Sequence, residues 1–296
     1  MIKRQPPFFY VIAKIWKPLT AVFFWGLSFI ATKYALKELT PVLIINFRLL
    51  LAIPLLAVIG ISGGRKFKLA KKQAGLILML ALISVFHLWI QVTGLQYTSA
   101  ANTGWIIGTA PVFISILSWI LLKESLSAKK IAGIFVSMSG LLLLISKGNL
   151  SSISFISGKG DMLVLASCLT WGFYSVVNRK IALDYSPMMS IFYLFVFMAV
   201  LTFPFNLNIN SFNTMLHLSS KGWMAIGFLG IFCSGIAYVF WAQALSKMKS
   251  ANVASFLYFE PFVTVLGAWF ILGESITGIM VLSGIIIMLG VALVNF

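Results

Sequence analysis

The sequence predicts an all-α polytopic membrane protein in which ten transmembrane helices form two inverted five-helix repeats. Hydrophobic residues make up 60% of the 296-residue chain and charged residues only 9%, whereas a typical soluble domain has about 25% charged residues. Ten apolar segments are long enough to cross a bilayer, which takes about 20 mostly apolar residues. The two halves of the chain also carry the same landmarks in the same order.

The predicted helices divide equally between the two halves. They cover residues 19–37, 42–61, 74–94, 101–122, 130–146, 161–181, 187–205, 222–245, 251–273 and 277–295. We expect a cytoplasmic N-terminal tail at 1–18, a first repeat at 19–147, an external linker at 148–160 and a second repeat at 161–296. The longest connections contain Ser, Asn and Gly clusters, which are typical of loops rather than of separate domains.

Matching landmarks at a constant spacing indicate that the second half is a copy of the first. In the first helix of each half, Trp25-Gly26 recurs as Trp171-Gly172, an offset of 146 residues. Later landmarks recur at an offset of 150 residues, where Ala101-Asn102, Pro111 and Glu124-Ser125 match Ala251-Asn252, Pro261 and Glu274-Ser275. Because each copy has five helices, an odd number, the second copy enters the membrane from the opposite side and forms an inverted-topology repeat.

The positions of the basic residues orient this arrangement. The formal net charge is +16. With the N-terminus in the cytoplasm, 16 Lys and Arg residues fall on the cytoplasmic side and five on the outer side, and Arg48 lies within a span. Since cytoplasmic loops carry an excess of Lys and Arg, we expect a multi-pass protein of the bacterial inner membrane with both termini in the cytoplasm. This bias accounts for most of the basic charge, so nucleic-acid binding is not needed to explain it.

The inverted repeat points to transport. In secondary transporters, two related bundles give alternating access to a site at their interface. The sequence has no metal cluster, no phosphate-binding glycine motif and no Ser/His/Asp set with plausible spacing, so neither an enzyme nor a cofactor is predicted. Cys168 and Cys233 lie singly in apolar stretches and predict neither a disulfide nor a metal site. Coupling to an ion gradient and plain downhill efflux both stay open.

Several of these landmarks resemble those of the EamA family within the drug/metabolite transporter superfamily. The resemblance covers about residues 20–294. It rests on the Trp-Gly pair in each half, on Arg48 in the second helix, and on Gly94-Leu95, Tyr97-Thr98-Ser99-Ala100, Ala244-Leu245, Glu260-Pro261 and Leu272-Gly273-Glu274-Ser275. It implies a ten-helix basket in which four helices of each repeat surround a cavity and the fifth packs outside. It also implies an exporter of amino acids, other metabolites or drugs.

The two copies differ at positions that bear on the site. Leu194 stands in the second half where the first half has Arg48, and Ala110 stands in the first half where the second has Glu260. Both charged residues therefore lack a charged counterpart. We expect an asymmetric site.

Glu260 and Arg48 are the leading candidates for the substrate cavity. Glu260 lies about nine residues into its predicted span, which at roughly 1.5 Å per residue places it near the bilayer midplane, where ionisable groups usually face a cavity or a partner. It can couple protons or bind an ammonium group, or it can be structural. Arg48 can bind a substrate carboxylate through its guanidinium fork or brace the repeats by pairing with Glu260. The matched prolines Pro111 and Pro261 are hinge candidates, because proline bends a helix.

Other polar residues supply further candidates. His87 and Gln91 lie four residues apart on one face of the third helix, and for His87 a satisfied core position is favoured over a proton relay. Asn102 and its counterpart Asn252 are expected to cap the fourth helix of each half or to line the cavity entrance.

Aromatic residues make up 15% of the chain and supply candidate cavity walls. The matched Trp25 and Trp171 are expected to pack the repeats together. Five others are predicted to form a wall that accepts apolar side chains or stacks over cations: Trp105, Tyr174, Tyr193, Trp241 and Tyr258.

The predicted function is export of amino acids or related small metabolites by alternating access at the repeat interface. A lipid-linked sugar or lipid flippase with the same fold is the nearest alternative, and a membrane-embedded enzyme is less favoured. The expected partners are a small-molecule substrate, membrane lipid and protons. A monomer and a homodimer both stay open.

Overall fold

The structure is a computed structural model that describes residues 8–123, 127–148, 158–181, 186–206, 209–247 and 255–295, and regular structure in these ranges is helical. The α-helices are, in chain order, α1 (Phe8–Ala35), α2 (Pro41–Ser62), α3 (Lys71–Tyr97), α4 (Ala100–Ile107), α5 (Ala110–Leu122), α6 (Ala128–Ile145), α7 (Lys159–Ile181), α8 (Pro187–Thr202), α9 (Ile209–Leu216), α10 (Ser220–Gly227), α11 (Ala237–Lys247), α12 (Glu260–Gly267) and α13 (Gly278–Asn295). Four shorter segments adjoin them: the 3₁₀ turns Phe203–Asn206 and Ser255–Phe259, and the π-helical stretches Phe228–Ile236 and Ala268–Leu272.

The helices have the lengths and composition of membrane spans. Within the described ranges, seven helical segments are long and apolar enough to cross a membrane, and Phe256–Leu272 and Gly278–Leu293 are shorter apolar helices. The prediction of an all-α, multi-pass membrane protein is therefore confirmed. Helix α1 begins at Phe8 rather than at residue 19, so helical structure extends into the stretch that was expected to be an N-terminal tail.

Two of the spans are interrupted next to the matched prolines. Helix α4 ends at Ile107 and α5 begins at Ala110, with Pro111 in its first turn. In the second half, a 3₁₀ turn gives way to α12 at Glu260, with Pro261 in the first turn. Proline is favoured there because the first turn of a helix needs no backbone donor. The predicted continuous helices are thus broken where proline begins a new one.

The Trp-Gly landmark has a packing explanation. A Cβ atom added to Gly26 would lie 2.7 Å from the Val263 Cβ, and one added to Gly172 would lie 2.8 Å from the Leu117 Cδ1 and 3.4 Å from the Phe113 carbonyl carbon. Glycine therefore allows α1 to approach α12, and allows α7 to approach α5. The hydroxyl of Thr264 also donates to the Gly26 carbonyl oxygen at 3.0 Å.

Helices α6 and α13, which end the two halves, pack against each other at equally short range. A Cβ atom on Gly290 would lie 2.2 Å from the Ser137 nitrogen, and one on Gly140 would lie 2.8 Å from the Ile287 nitrogen. The Ser137 hydroxyl donates to the Ile287 carbonyl oxygen at 2.9 Å. Small residues let the two backbones meet, which is the usual way that membrane helices associate.

Candidate functional site

A cavity lies between helices of both halves of the chain. It contains about 700 Å³ of space free of protein atoms, part of which is continuous with solvent. Its walls come from α1, α2, α3, α4 and α5 in the first half, and from α7, α11, the turn before α12 and α12 itself in the second. The site therefore lies where the two halves meet.

Five of the predicted residues line this cavity. They are Arg48, His87, Gln91, Pro111 and Glu260. Arg48, His87 and Glu260 are 7%, 6% and 8% exposed, so all three are removed from bulk solvent. The structure thus brings the two unmatched charges into one buried space, together with the polar pair of α3.

Glu260 lies at the start of α12 with a carboxylate that is free to bind a ligand. Its side chain makes no hydrogen bond or ion pair with any described residue, while its carbonyl oxygen accepts from the Thr264 hydroxyl at 2.9 Å. A negative charge is favoured at a helix N-terminus. A buried ionisable group without a partner is otherwise costly, and in membrane proteins it usually faces a transport pathway.

Arg48 is held by one of its nitrogens and presents the others to the cavity. Its Nε donates to the Ser234 hydroxyl at 2.8 Å, and Ser234 lies in the π-helical stretch Phe228–Ile236. The terminal guanidinium nitrogens have no hydrogen-bond partner in the part of the chain that the structure describes. Arg48 and Glu260 also form no ion pair there, so the alternative in which Arg48 braces the repeats by pairing with Glu260 is not observed.

Aromatic rings form the apolar walls, but they are not the rings that were predicted. Trp25 and Trp171 line the cavity, so the interpretation of these two residues as packing elements was incomplete. Trp25 donates through Nε1 to the Cys233 carbonyl oxygen at 3.1 Å, and its ring lies 5.3 Å from Tyr238, a wall residue that the sequence analysis missed. Recurrence of Trp at the same place in both copies was the signal that could have identified this pair.

The other predicted aromatic wall residues are not among those that line this cavity. Tyr174 stacks behind Trp171 at 5.0 Å, and Trp241 lies 5.1 Å from Trp25. A Cβ atom on Gly284 of α13 would lie 2.6 Å from the Trp105 ring, so Trp105 packs against the last helix. The remaining two, Tyr193 and Tyr258, pack against clusters of buried apolar residues.

The N-terminus of α4, in the fourth predicted span, is capped by a residue other than the predicted Asn102. The Ser99 hydroxyl, not the Asn102 side chain, caps α4, since it accepts from the Asn102 nitrogen at 2.9 Å. The capping prediction for Asn102 is therefore wrong, and its side chain instead donates to Asp161 Oδ2 at 3.5 Å. Its counterpart Asn252 lies outside the described residues. Asp161 also accepts from the Thr98 hydroxyl, so α3, α4 and α7 are joined at this end.

At the same end, Glu274 clamps the start of α4. Its two carboxylate oxygens each accept a backbone N–H, from Ala100 and from Ala101, both at 2.9 Å. These are donors that the first turn of a helix leaves unpaired. Gly273 makes this reach possible, because its φ of 67° turns the chain sharply after the π-helical stretch. Lys33 also interacts electrostatically with Glu274.

A third carboxylate joins the end of α1 to the start of α10. Glu38 accepts from the Ser219 nitrogen at 2.8 Å and from the Ser219 hydroxyl at 2.5 Å. These hydrogen bonds hold the pKa of the Glu38 carboxyl below its usual range. Three carboxylates thus tie helix ends together on one side of the cavity.

Apolar spans around a buried, charged and aromatic-walled cavity define a multi-pass membrane transporter. The model of the EamA-like transporter family matches residues 14–146 and, a second time, residues 158–296. The chain therefore belongs to the EamA-like transporter family, and the resemblance found in the sequence is confirmed.

Individual relatives agree with this assignment. An uncharacterized transporter of Archaeoglobus fulgidus is 33% identical over 91% of this chain and 92% of its own length. The uncharacterized transporter YyaM of Bacillus subtilis is 28% identical over 90% and 88% of the two chains. A probable amino-acid metabolite efflux pump of Salmonella typhimurium is 25% identical over 92% and 91%. A crystal structure with 18% sequence identity superposes with a TM-score of 0.67 over 95% of this chain and 97% of the other, which shows the shared fold.

Proposed function

We propose that this chain exports amino acids or related small metabolites across the bacterial inner membrane by alternating access. In this proposal, residues 19–147 and 161–296 are inverted five-helix repeats that give ten spans, 148–160 is an external linker, and both termini are cytoplasmic. The observation that carries the proposal is the cavity between the halves, where the Glu260 carboxylate and the terminal guanidinium nitrogens of Arg48 have no partner among the described residues. A relative named as a probable amino-acid metabolite efflux pump supports the substrate class.

Reciprocal contacts between α6 and α13 support the inverted repeat. Gly140 approaches Ile287 and Gly290 approaches Ser137, and each pair is converted into the other by the 150-residue offset. A contact between residue i and residue j that also occurs between their counterparts is what a two-fold axis produces. The symmetry axis of an inverted repeat lies in the membrane plane, so this contact is expected near it.

The Trp-Gly landmark gives a second reciprocal pair. Gly26 packs on Val263, and Gly172 packs on Phe113 and its neighbours; the offsets are 146 for the glycines and 150 for their partners.

The turns that end the fourth and ninth predicted spans are a third feature that the two halves share. Lys123 and Gly273, again 150 residues apart, both adopt the left-handed conformation, with φ of 55° and 67°. That Lys accepts a conformation that suits glycine indicates that the turn itself is shared.

The cavity chemistry suits a zwitterion with an apolar side chain. The free guanidinium nitrogens of Arg48 can bind a carboxylate in bidentate fashion. The Glu260 carboxylate can pair with an ammonium group or take up a proton, and the rings of Trp25 and Trp171 provide an apolar wall. Because Leu194 and Ala110 replace these charges in the other copy, a substrate with two unlike ends binds in one orientation.

The three clamped carboxylates close one side of the cavity. On the proposed topology, Glu274, Asp161 and Glu38 lie at the outer face. Alternating access then requires these contacts to break when the cavity opens outward. Clamps made of hydrogen bonds suit this task, because such bonds exchange for water at modest net cost.

The test is amino-acid counterflow in proteoliposomes, which needs no driving force. Purified protein is reconstituted with a panel of internal amino acids, and uptake of the same labelled amino acid is measured. We expect counterflow for at least one amino acid, and its loss in Arg48→Met. Lys129→Gln, which removes a positive charge at an exposed position, serves as the control. Absence of counterflow for every amino acid, together with scrambling of labelled lipid, would favour a flippase instead.

A further inference from the structure

Contacts with α7 and with Trp171 fix the orientation of the His87 ring. It lies on α3 and is buried, and its Nδ1 is 3.0 Å from the Ser167 carbonyl oxygen and 3.1 Å from the Thr170 hydroxyl oxygen, both on α7. His87 lines the cavity, and because Nδ1 is engaged by α7, the opposite edge of the ring is the one left to face that space. The Trp171 ring lies 5.3 Å from the imidazole at an angle of 38°, which restricts rotation of the imidazole.

The neighbours of Nδ1 decide which ring nitrogen carries the hydrogen. The Ser167 carbonyl oxygen can only accept. The Thr170 hydroxyl donates its hydrogen to that same carbonyl oxygen at 2.9 Å, so toward His87 it also acts as an acceptor. Two acceptors within hydrogen-bond distance require a donor between them. Nδ1 therefore carries the hydrogen.

The hydrogen on Nδ1 determines the state of the other ring nitrogen of His87, Nε2. In a neutral imidazole only one nitrogen carries a hydrogen, so Nε2 holds a lone pair, and it has no hydrogen-bond partner in the described part of the chain. Among the described residues that line this cavity, the charged groups are Arg48 and Glu260. Burial of the ring without an ion-pair partner favours the neutral form; the positive charge of Arg48 acts in the same direction and the carboxylate of Glu260 in the opposite one.

We propose that His87 is a specificity-determining residue whose Nε2 accepts a hydrogen bond from an N–H or O–H group of the substrate. The inference rests on the proposed function and deepens it. With Arg48 as donor and Glu260 and His87 as acceptors, the cavity selects a small zwitterion whose ammonium group has several hydrogens to donate. The ring nitrogen on the far side is held by α7, so the acceptor is oriented before the substrate arrives.

The experiment is nitrogen NMR of protein labelled with ¹⁵N-histidine. The chain has two histidines, and His217 is exposed, so His217→Gln leaves His87 as the single labelled residue. We expect a protonated Nδ1 and an unprotonated Nε2 in the ligand-free protein. Addition of L-leucine, at a concentration that saturates its counterflow, should move the Nε2 resonance and leave Nδ1 protonated.

The inference is overturned by an unprotonated Nδ1, by two protonated nitrogens, or by an Nε2 signal that L-leucine does not change while counterflow persists. Counterflow kinetics give a second reading. His87→Phe keeps a ring against Trp171 and should raise the half-saturation concentration about fivefold, the effect of one lost hydrogen bond, whereas His217→Gln should not. An unchanged value in His87→Phe also overturns it. A wild-type protein that transports no amino acid contradicts the proposed function instead, and the protonation of the two ring nitrogens still decides the assignment of His87.

Discussion

The contact between α6 and α13 gives a prediction whose size follows from the structure. In Gly290→Ala the new Cβ atom would lie 2.2 Å from the Ser137 nitrogen and 2.6 Å from the Gly133 carbonyl oxygen. Carbon atoms pack at about 3.5–4.0 Å, so the helices must separate by about 1 Å or more. Both obstacles are backbone atoms, so no side chain can move aside, and the bond from Ser137 to Ile287 is stretched as well.

The free-energy change can be estimated against a matched control. Overpacking costs about 1–3 kcal/mol, and a lost hydrogen bond costs about 1 kcal/mol. Gly75→Ala is the control, because that glycine lies within α3 with nothing within 4 Å of an added Cβ, and alanine there gains up to about 1 kcal/mol of helix propensity. We expect Gly290→Ala to be less stable than Gly75→Ala by about 2–4 kcal/mol.

The assay is unfolding of the detergent-solubilised protein by titration with SDS, followed by circular dichroism. Gly140→Ala should fall between the other two variants, since its Cβ would meet the Ile287 nitrogen at 2.8 Å. Equal stability of Gly290→Ala and Gly75→Ala would show that α6 and α13 are not in backbone contact.

Three carboxylates give further predictions. The pKa of the Glu38 carboxyl is lowered by its hydrogen bonds to Ser219. The ionised carboxylate therefore stabilises the fold above the unfolded-state pKa, and this contribution is lost as pH falls through the folded-state pKa. The difference in unfolding free energy between wild type and Glu38→Gln should shrink between about pH 6 and about pH 3. In Glu274→Gln, one of the two acceptors for the start of α4 is replaced by an amide, so we expect stability to fall by about 1–3 kcal/mol, and unchanged SDS unfolding would contradict the clamp. Glu260→Gln cannot take up a proton, so any pH dependence of efflux that arises from Glu260 should be lost. Efflux at the full rate with unchanged pH dependence would exclude proton coupling through Glu260.

The sequence predicted the helices well because hydropathy reports burial in lipid directly. The second predicted helix, 42–61, is α2 (Pro41–Ser62), and the last, 277–295, is α13 (Gly278–Asn295). The early start of α1 was missed because Lys14 and Lys17 interrupt its apolar run, although helical structure tolerates them. The breaks near Pro111 and Pro261 were anticipated as bends, since proline acts on its own helix.

The site was predicted unevenly, and the reason is physical. Charged and polar residues within a span are stable only beside a cavity or a polar partner, and Glu260, Arg48, His87 and Gln91, which the sequence proposed as site residues, line the cavity. An aromatic ring is stable both in a cavity wall and against another helix, so the residue type alone does not predict which of the two environments the ring occupies. Trp105 therefore lies against Gly284 instead of in the cavity. The hydrogen bonds from the start of α4 to Glu274 join residues 174 positions apart in the chain. They depend on how the two halves pack together, so the sequence alone did not predict them.

Alternating access requires the cavity between the halves to open in turn to the two sides of the membrane. Cysteine accessibility measures this opening. Gln91 lines the cavity, so Gln91→Cys is made in a chain whose buried Cys168 and Cys233 are replaced by Ala. A membrane-impermeant thiol reagent is then applied from each side of oriented vesicles. We expect labelling from both sides, with outside labelling increased by Glu274→Gln. Labelling from one side only, with or without a transported amino acid and in both backgrounds, would contradict alternating access.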